Sequence, residues 1–202
     1  MAGPKPLRIG VFVPKSVQLL DLSPVDLFAM LDPFYLEACR LPAPLVAMGI
    51  ASTIHYIAAS SLQSHVELTA NAILKVTKTV LDEEVQPGML DIILVPGASP
   101  SDLFEEEVYE FVRGHVAWKG LDGKQVDVLS VCTGCFVLAY AGVLKGKKSS
   151  GPRALVPTLQ KKFPETKWVD DRRWVIDGNI WSSGKPQLCA RRIIDVTWPR
   201  RL

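Results

Sequence analysis

Cys132, Asp21, Gly97 and Thr133 are the residues whose types and settings could do chemistry together. Cys132 follows a β-branched, apolar run, Val126, Val128, Leu129 and Val131, that reads as a buried strand, and Phe136 to Ala141 beyond it read as a helix. A side chain on such a strand-to-helix turn is pushed out at the sheet edge, next to the free N–H groups and the positive end of the helix. That setting favours thiolate over thiol, so the expectation is a nucleophilic cysteine. The competing reading is a small buried residue that happens to carry sulfur. Asp21 lies after the first strand, where a carboxylate could handle protons, be a solvated loop charge, or cap the next helix. Gly97 ends another apolar strand, where its N–H can point into a crevice as an oxyanion donor, or simply belong to a turn. The CTGC spacing also permits a redox pair in which Cys135 resolves an oxidised Cys132.

The elements that must position these residues follow from the pattern of apolar and turn-forming residues. Leu7 to Val13 reads as a strand covered on both faces and belongs in the sheet centre. Ser23 with Pro24 behind it predicts an N-cap and a helix through Leu31, leaving Asp21 in the loop between. Pro33 to Pro44 reads as loop with a helical turn at Tyr35 to Cys39, Leu45 to Met48 and Thr53 to Ala58 as strands, and Val66 to Leu74 as a strand or hairpin arm. Asp91 to Val95 is a buried strand. Asp102 to Trp118 is a helix capped by Ser101 or Asp102, with Glu105, Glu106 and Glu107 on its solvated face. A helical pattern covers Ala154 to Phe163, and Trp174 to Trp181 reads as a hairpin with an Asp-Gly type of turn. Strands alternating with helices predict a doubly wound α/β domain, its sheet mostly parallel with helices on both faces. The loops after Val13, Val95 and Val131 then converge at one rim, bringing Asp21, Gly97 and Cys132 together.

At 202 residues with 48% hydrophobic and 22% charged side chains, the chain reads as one soluble domain with a full core. A net charge of +2 argues against a nucleic-acid or membrane partner, and no segment has the length of a membrane span. Cys39, Cys132, Cys135 and Cys189 are too few for a disulfide scaffold, which predicts a cytoplasmic protein. His55 and His65 have no acid or thiol at ligand spacing, so no metal is expected.

In order along the chain, DLSPVDLF, LVPGA, SVCTG followed by AGVLKGKK, and RRWVIDGNIWSSG resemble the ThiJ/PfpI superfamily, whose fold is the flavodoxin-like one of class I glutamine amidotransferases. The resemblance covers Leu7 to Gly184 and is nearest the isonitrile hydratase-like branch. It implies an α/β domain over residues 1–184 and a catalytic set of nucleophile Cys132, neighbouring Thr133, acidic Asp21 and backbone donor Gly97. It implies no cofactor and a small-molecule substrate, an isonitrile or a reactive carbonyl; a homodimer stays open. Many relatives carry a histidine where this chain has Ser149, Ser150, Gly151, Pro152 and Arg153, and His115 sits on a different segment, so a Cys-His-acid triad is not expected. After Gly184 relatives usually run into a long final helix. Here residues 185–202, KPQLCARRIIDVTWPRRL, form an atypical basic tail, which implies a missing or altered C-terminal helix.

The implied activity is a lyase reaction: Cys132 adds to the isonitrile carbon, Asp21 handles protons, Thr133 orients water or substrate, and the N–H groups of Gly97 and Thr133 face developing charge. The product is an N-substituted formamide. Glyoxalase-type chemistry by the same thiol, and a non-catalytic ligand-sensing or interaction role, are the alternatives.

Overall fold

The alternation of the first strand supplies two cores at once. In the computed structural model, which describes residues 5–62 and 64–184, β1 (Leu7–Phe12) sends Ile9 and Val11 to one face of the sheet and Phe12 to the other. The chain continues through α1 (Ser23–Ala29), α2 (Pro33–Ala38), α3 (Ala43–Val46), β2 (Ser52–Ala58), a hairpin of β3 (His65–Glu67) and β4 (Ile73–Lys75), β5 (Lys78–Thr79) and β6 (Ile92–Val95). There follow α4 (Glu106–Ala117), β7 (Asp127–Val131), α5 (Gly134–Tyr140), β8 (Lys148–Ser149), α6 (Val156–Lys162), β9 (Lys167–Trp168), β10 (Trp174–Asp177) and β11 (Ile180–Ser183). Seven strands form the main sheet in the order β10-β11-β7-β6-β1-β2-β5. Neighbours run parallel except for β10 on β11.

Helices α4 and α5 cover one face, setting Val108, Phe111, Val137 and Leu138 against Phe12, Ile93, Val95 and Val128. Helix α1 and the β3–β4 hairpin cover the other, where Val25, Phe28 and Val66 meet Val11, Leu94, Leu129 and Val131. Each of the largest fully buried side chains contributes about 1.5–3 kcal/mol to this arrangement. Strand β6, Ile92-Ile93-Leu94-Val95, is buried at every position, which is why it reads as an unbroken apolar run rather than an alternating one. After β1 the chain first builds outward through β2 and β5, then returns to β6 on the other flank of β1. That reversal of strand order opens a crevice at the carboxyl ends of β1 and β6, where α/β sheets bind ligands.

Several expectations are corrected here. Leu45 to Met48 is no strand: Pro42 and Pro44 set φ for a helix start, and the short apolar run spans the end of α3 and the turn after it, where Leu45 and Met48 share a hollow with Leu31, Leu36 and Leu41. Ser23 is not an N-cap, because Leu19–Leu22 already form a 3-10 turn that runs straight into α1; Ser23 is itself helical (φ −54°, ψ −31°). Helix α4 starts at Glu106 rather than under Ser101 or Asp102. Its first acids are not merely solvated: Glu107 accepts from the N–H and hydroxyl of Ser60, and Glu105 from the hydroxyl of Ser61, so they tether the loop after β2. The β10–β11 hairpin turns on Gly178 and Asn179, one residue later than the Asp-Gly reading, with Gly178 at φ +64°. Residues 185–202, and with them Cys189 and the expected change in the C-terminal helix, lie outside the described residues. Among the described residues no helix is long and apolar enough to cross a membrane.

At the amino end of β6 the buried Asp91 carboxylate accepts from Arg8 Nε at 3.1 Å and Nη2 at 3.0 Å, and from Lys124 Nζ. Burial alone would raise this carboxyl, but the bonds from Arg8 and Lys124 outweigh it and hold the pKa at about 2, below the ordinary 3.8. A depressed acid contributes stability that is present above its unfolded pKa and fades as pH falls through the folded one. Wild type and Asp91→Asn should therefore differ in urea unfolding free energy by about 2 kcal/mol at pH 7 and converge as the pH approaches 2. A difference that does not shrink with acid would mean that the triad's charge is not what holds this end of the sheet.

Candidate active site

Strand β7 ends at Val131, and the backbone reverses on one residue before α5 begins. Cys132 makes that reversal with φ +53°, a left-handed conformation that a side chain adopts only at a cost of about 1–3 kcal/mol. Its neighbours hold it there. The Cys132 N–H donates to Ser183 O at 2.8 Å, fastening the elbow to the end of β11. The Thr133 hydroxyl donates to Ala98 O at 2.6 Å, fastening it to the turn after β6. Gly134 allows the approach: a Cβ there would lie 2.2 Å from Val95 O and 2.8 Å from Pro96 O.

Asp21 reaches the same spot from the 3-10 turn after β1. It is 1% exposed, and Gly97 N–H donates to its Oδ2 at 3.0 Å. The carboxyl also lies beside the Cys132 thiol, close enough for each group to perturb the protonation of the other. The four residues singled out above thus meet at the crevice between β1, β6 and β7, although more than a hundred positions separate Asp21 from Cys132.

Electrostatics here run against the reading from helix polarity. Burial, and then the charge of Asp21, push the Cys132 thiol up, while the N–H and hydroxyl of Thr133 pull the other way. Helix α5 has only seven residues, and its dipole does not overcome a half-buried sulfur beside a carboxylate. Burial likewise pushes the Asp21 carboxyl above its ordinary range, opposed by the bonds from Gly97 and Cys132. Each group therefore favours its protonated form, and the carboxyl stands ready as the neighbour that can take or give the thiol's proton. The setting stores a proton next to sulfur; it does not strip one from it.

Gly97 also differs from expectation. Its N–H is directed at Asp21, so it positions the acid instead of standing open to an incoming group. Cys135 is fully buried under Gly151, whose Cβ would come within 2.9 Å of its sulfur, and burial pushes this thiol far above the usual range. A resolving cysteine must form thiolate and reach its partner, and Cys135 is set to do neither. His115 is buried on α4, its Nδ1 2.7 Å from Phe111 O.

Sequence patterns alone did not reveal Ser183 and Ala98, because both act through backbone carbonyls. Asn179 gave a partial signal: as the second turn residue of the hairpin its buried amide donates to Val116 O at 3.1 Å and Val126 O at 2.8 Å, pinning β11 beside β7 and so setting Ser183 under the elbow.

The sequence pattern of the DJ-1/PfpI family matches residues 39–191, about three quarters of the chain. The chain belongs to the DJ-1/PfpI family. Within that family it is 34% identical over 184 residues to the isonitrile hydratase of Pseudomonas putida, a match spanning 88% of this chain and 65% of that protein's length. Solved structures share the fold. DJ-1beta of Drosophila melanogaster superposes with a TM-score of 0.68 at 16% identity, over 96% of this chain and 89% of that one. An AraC family transcriptional regulator from Pseudomonas putida superposes at 0.66 and 14% identity, over 96% and 94%. The DJ-1/PfpI fold thus carries more than one kind of function, and the choice among them rests on the chemistry of Cys132 and Asp21.

Proposed function

We propose that this DJ-1/PfpI protein hydrates isonitriles to N-substituted formamides, with Cys132 as the nucleophile and Asp21 as the proton carrier. The reading is supported above all by one arrangement: a buried carboxyl, held by Gly97 N–H, set beside the thiol at the elbow. The resemblance to an isonitrile hydratase points the same way.

The terminal carbon of an isonitrile accepts both a nucleophile and a proton. Cys132 Sγ bonds to that carbon as the proton of the thiol–carboxyl pair moves to the same carbon, giving the thioimidate R–N=CH–S–Cys. Asp21, now carboxylate, takes a proton from a water that adds to the C=N carbon, and the nitrogen is protonated in turn. Collapse of R–NH–CH(OH)–S–Cys breaks the C–S bond, returns the proton to the pair and releases R–NH–CHO. A shared proton suits this sequence better than a free thiolate would, because the carbon must be protonated in the step that forms the C–S bond.

Incubating the protein with aliphatic and aromatic isonitriles should yield the matching formamides. A rapid quench should show an intact mass increased by that of one isonitrile, mapped to Cys132. Formamide production equal in wild type and Cys132→Ala would remove this residue from the reaction. Lactate formed from methylglyoxal, with no formamide from any isonitrile, would assign the thiol to glyoxalase-type chemistry instead.

A further inference from the structure

We infer that the Asp21 side chain fills the donor position that an acyl-transfer centre keeps free for its oxyanion, so that Cys132 discriminates against esters and amides in favour of electrophiles protonated at the reacting atom. The inference deepens the reading above and rests on it for the assignment of Cys132 as nucleophile.

Attack of sulfur on an ester carbonyl places negative charge on oxygen, and enzymes that do this aim two or more N–H groups at that oxygen. Around the Cys132 elbow three donors are already engaged in other contacts. Gly97 N–H is bound to Asp21 Oδ2 at 3.0 Å, with that carboxylate oxygen directly over the glycine: a Cβ on Gly97 would fall 2.3 Å from it. Cys132 N–H is bound to Ser183 O at 2.8 Å, and the Thr133 hydroxyl to Ala98 O at 2.6 Å. An oxyanion forming here would find the Gly97 N–H already taken and the Asp21 side chain standing where a second backbone donor is required, so the lost hydrogen bond opposes it. Addition to an isonitrile carbon creates no such oxygen, and the same carboxyl supplies the proton the carbon needs. One side chain therefore serves the favoured reaction and obstructs the other.

The test compares two reagents at one sulfur. Iodoacetamide alkylates a thiolate by displacing iodide and needs no oxyanion site. p-Nitrophenyl acetate transfers its acetyl group to sulfur with release of p-nitrophenol and does need one. The ratio of the two rates cancels access and thiolate fraction, and the exposed Cys39 of the same molecule gives the ratio for a thiol in no special setting. Peptide mass spectrometry should find the acetylation-to-alkylation ratio at Cys132 at least about tenfold below that at Cys39, and Asp21→Ala should raise it at Cys132 by about tenfold or more, with Cys39 unchanged. A wild-type ratio at Cys132 equal to or above that at Cys39 would overturn the inference, as would a ratio that Asp21→Ala leaves unmoved. The wild-type comparison decides the matter if the variant does not fold. Neither reagent is an isonitrile, so the outcome is independent of the hydration assay.

Discussion

Asp21→Asn should slow isonitrile hydration by about 10²–10⁴-fold while making Cys132 more reactive toward iodoacetamide at neutral pH. The two effects have opposite signs because the carboxyl has two roles. As proton carrier it serves the addition and the water step, and an amide cannot replace it there. As a charge beside the sulfur it pushes the thiol up, so removing it lowers the thiol pKa and increases the thiolate present near pH 7. Raised reactivity from general unfolding would also expose Cys135, which is fully buried in the native chain. Cys135 should stay unmodified in the variant. A variant that hydrates at the wild-type rate would show that Asp21 carries no proton in the reaction. If alkylation slowed instead, the carboxylate would be helping the thiolate form.

Gly134→Ala should lower the urea unfolding free energy by about 3 kcal/mol and take most of the activity with it. Two effects compete at this position. Alanine is favoured over glycine in a helix by about 1 kcal/mol, and less than that in the first turn. Against this, the new methyl would sit 2.2 Å from Val95 O and 2.8 Å from Pro96 O. Both are backbone atoms of the central sheet and the turn after it, with no flexible side chain to swing aside, so the steric term wins. Relief comes only by moving the elbow off β6, which pulls Thr133 from Ala98 and Cys132 from Asp21. An unchanged unfolding midpoint would mean that the elbow can shift freely, and the close seating of α5 on β6 would not define the site.

The fold was readable where a single constraint dominates. Ile92 to Val95 could only be a strand buried on both sides, and the reversal of order around β1 then put the loops bearing Asp21, Gly97 and Cys132 at one rim. Reading failed where two constraints were equally balanced in the sequence. Leu45 to Met48 is short enough to be apolar strand or apolar helix, and the prolines at 42 and 44, read as loop, were helix starters. At the site, residue types were legible and hydrogen-bond assignment was not. Gly97 N–H could have served substrate or acid, and only the depth of Asp21, carried inward by the 3-10 turn at Leu19–Leu22, decides for the acid. The direction of the Cys132 shift was hidden for the same reason, since helix polarity is visible in a sequence and a carboxyl approaching from another strand is not.

The backward twist at Cys132 has a further implication for how this molecule can change over time. Glycine would occupy that torsion with less penalty than any residue bearing a side chain. Drift governed by robustness alone would thus favour glycine at the crest of the elbow, so any side chain there is carried at some expense of thermal hardiness.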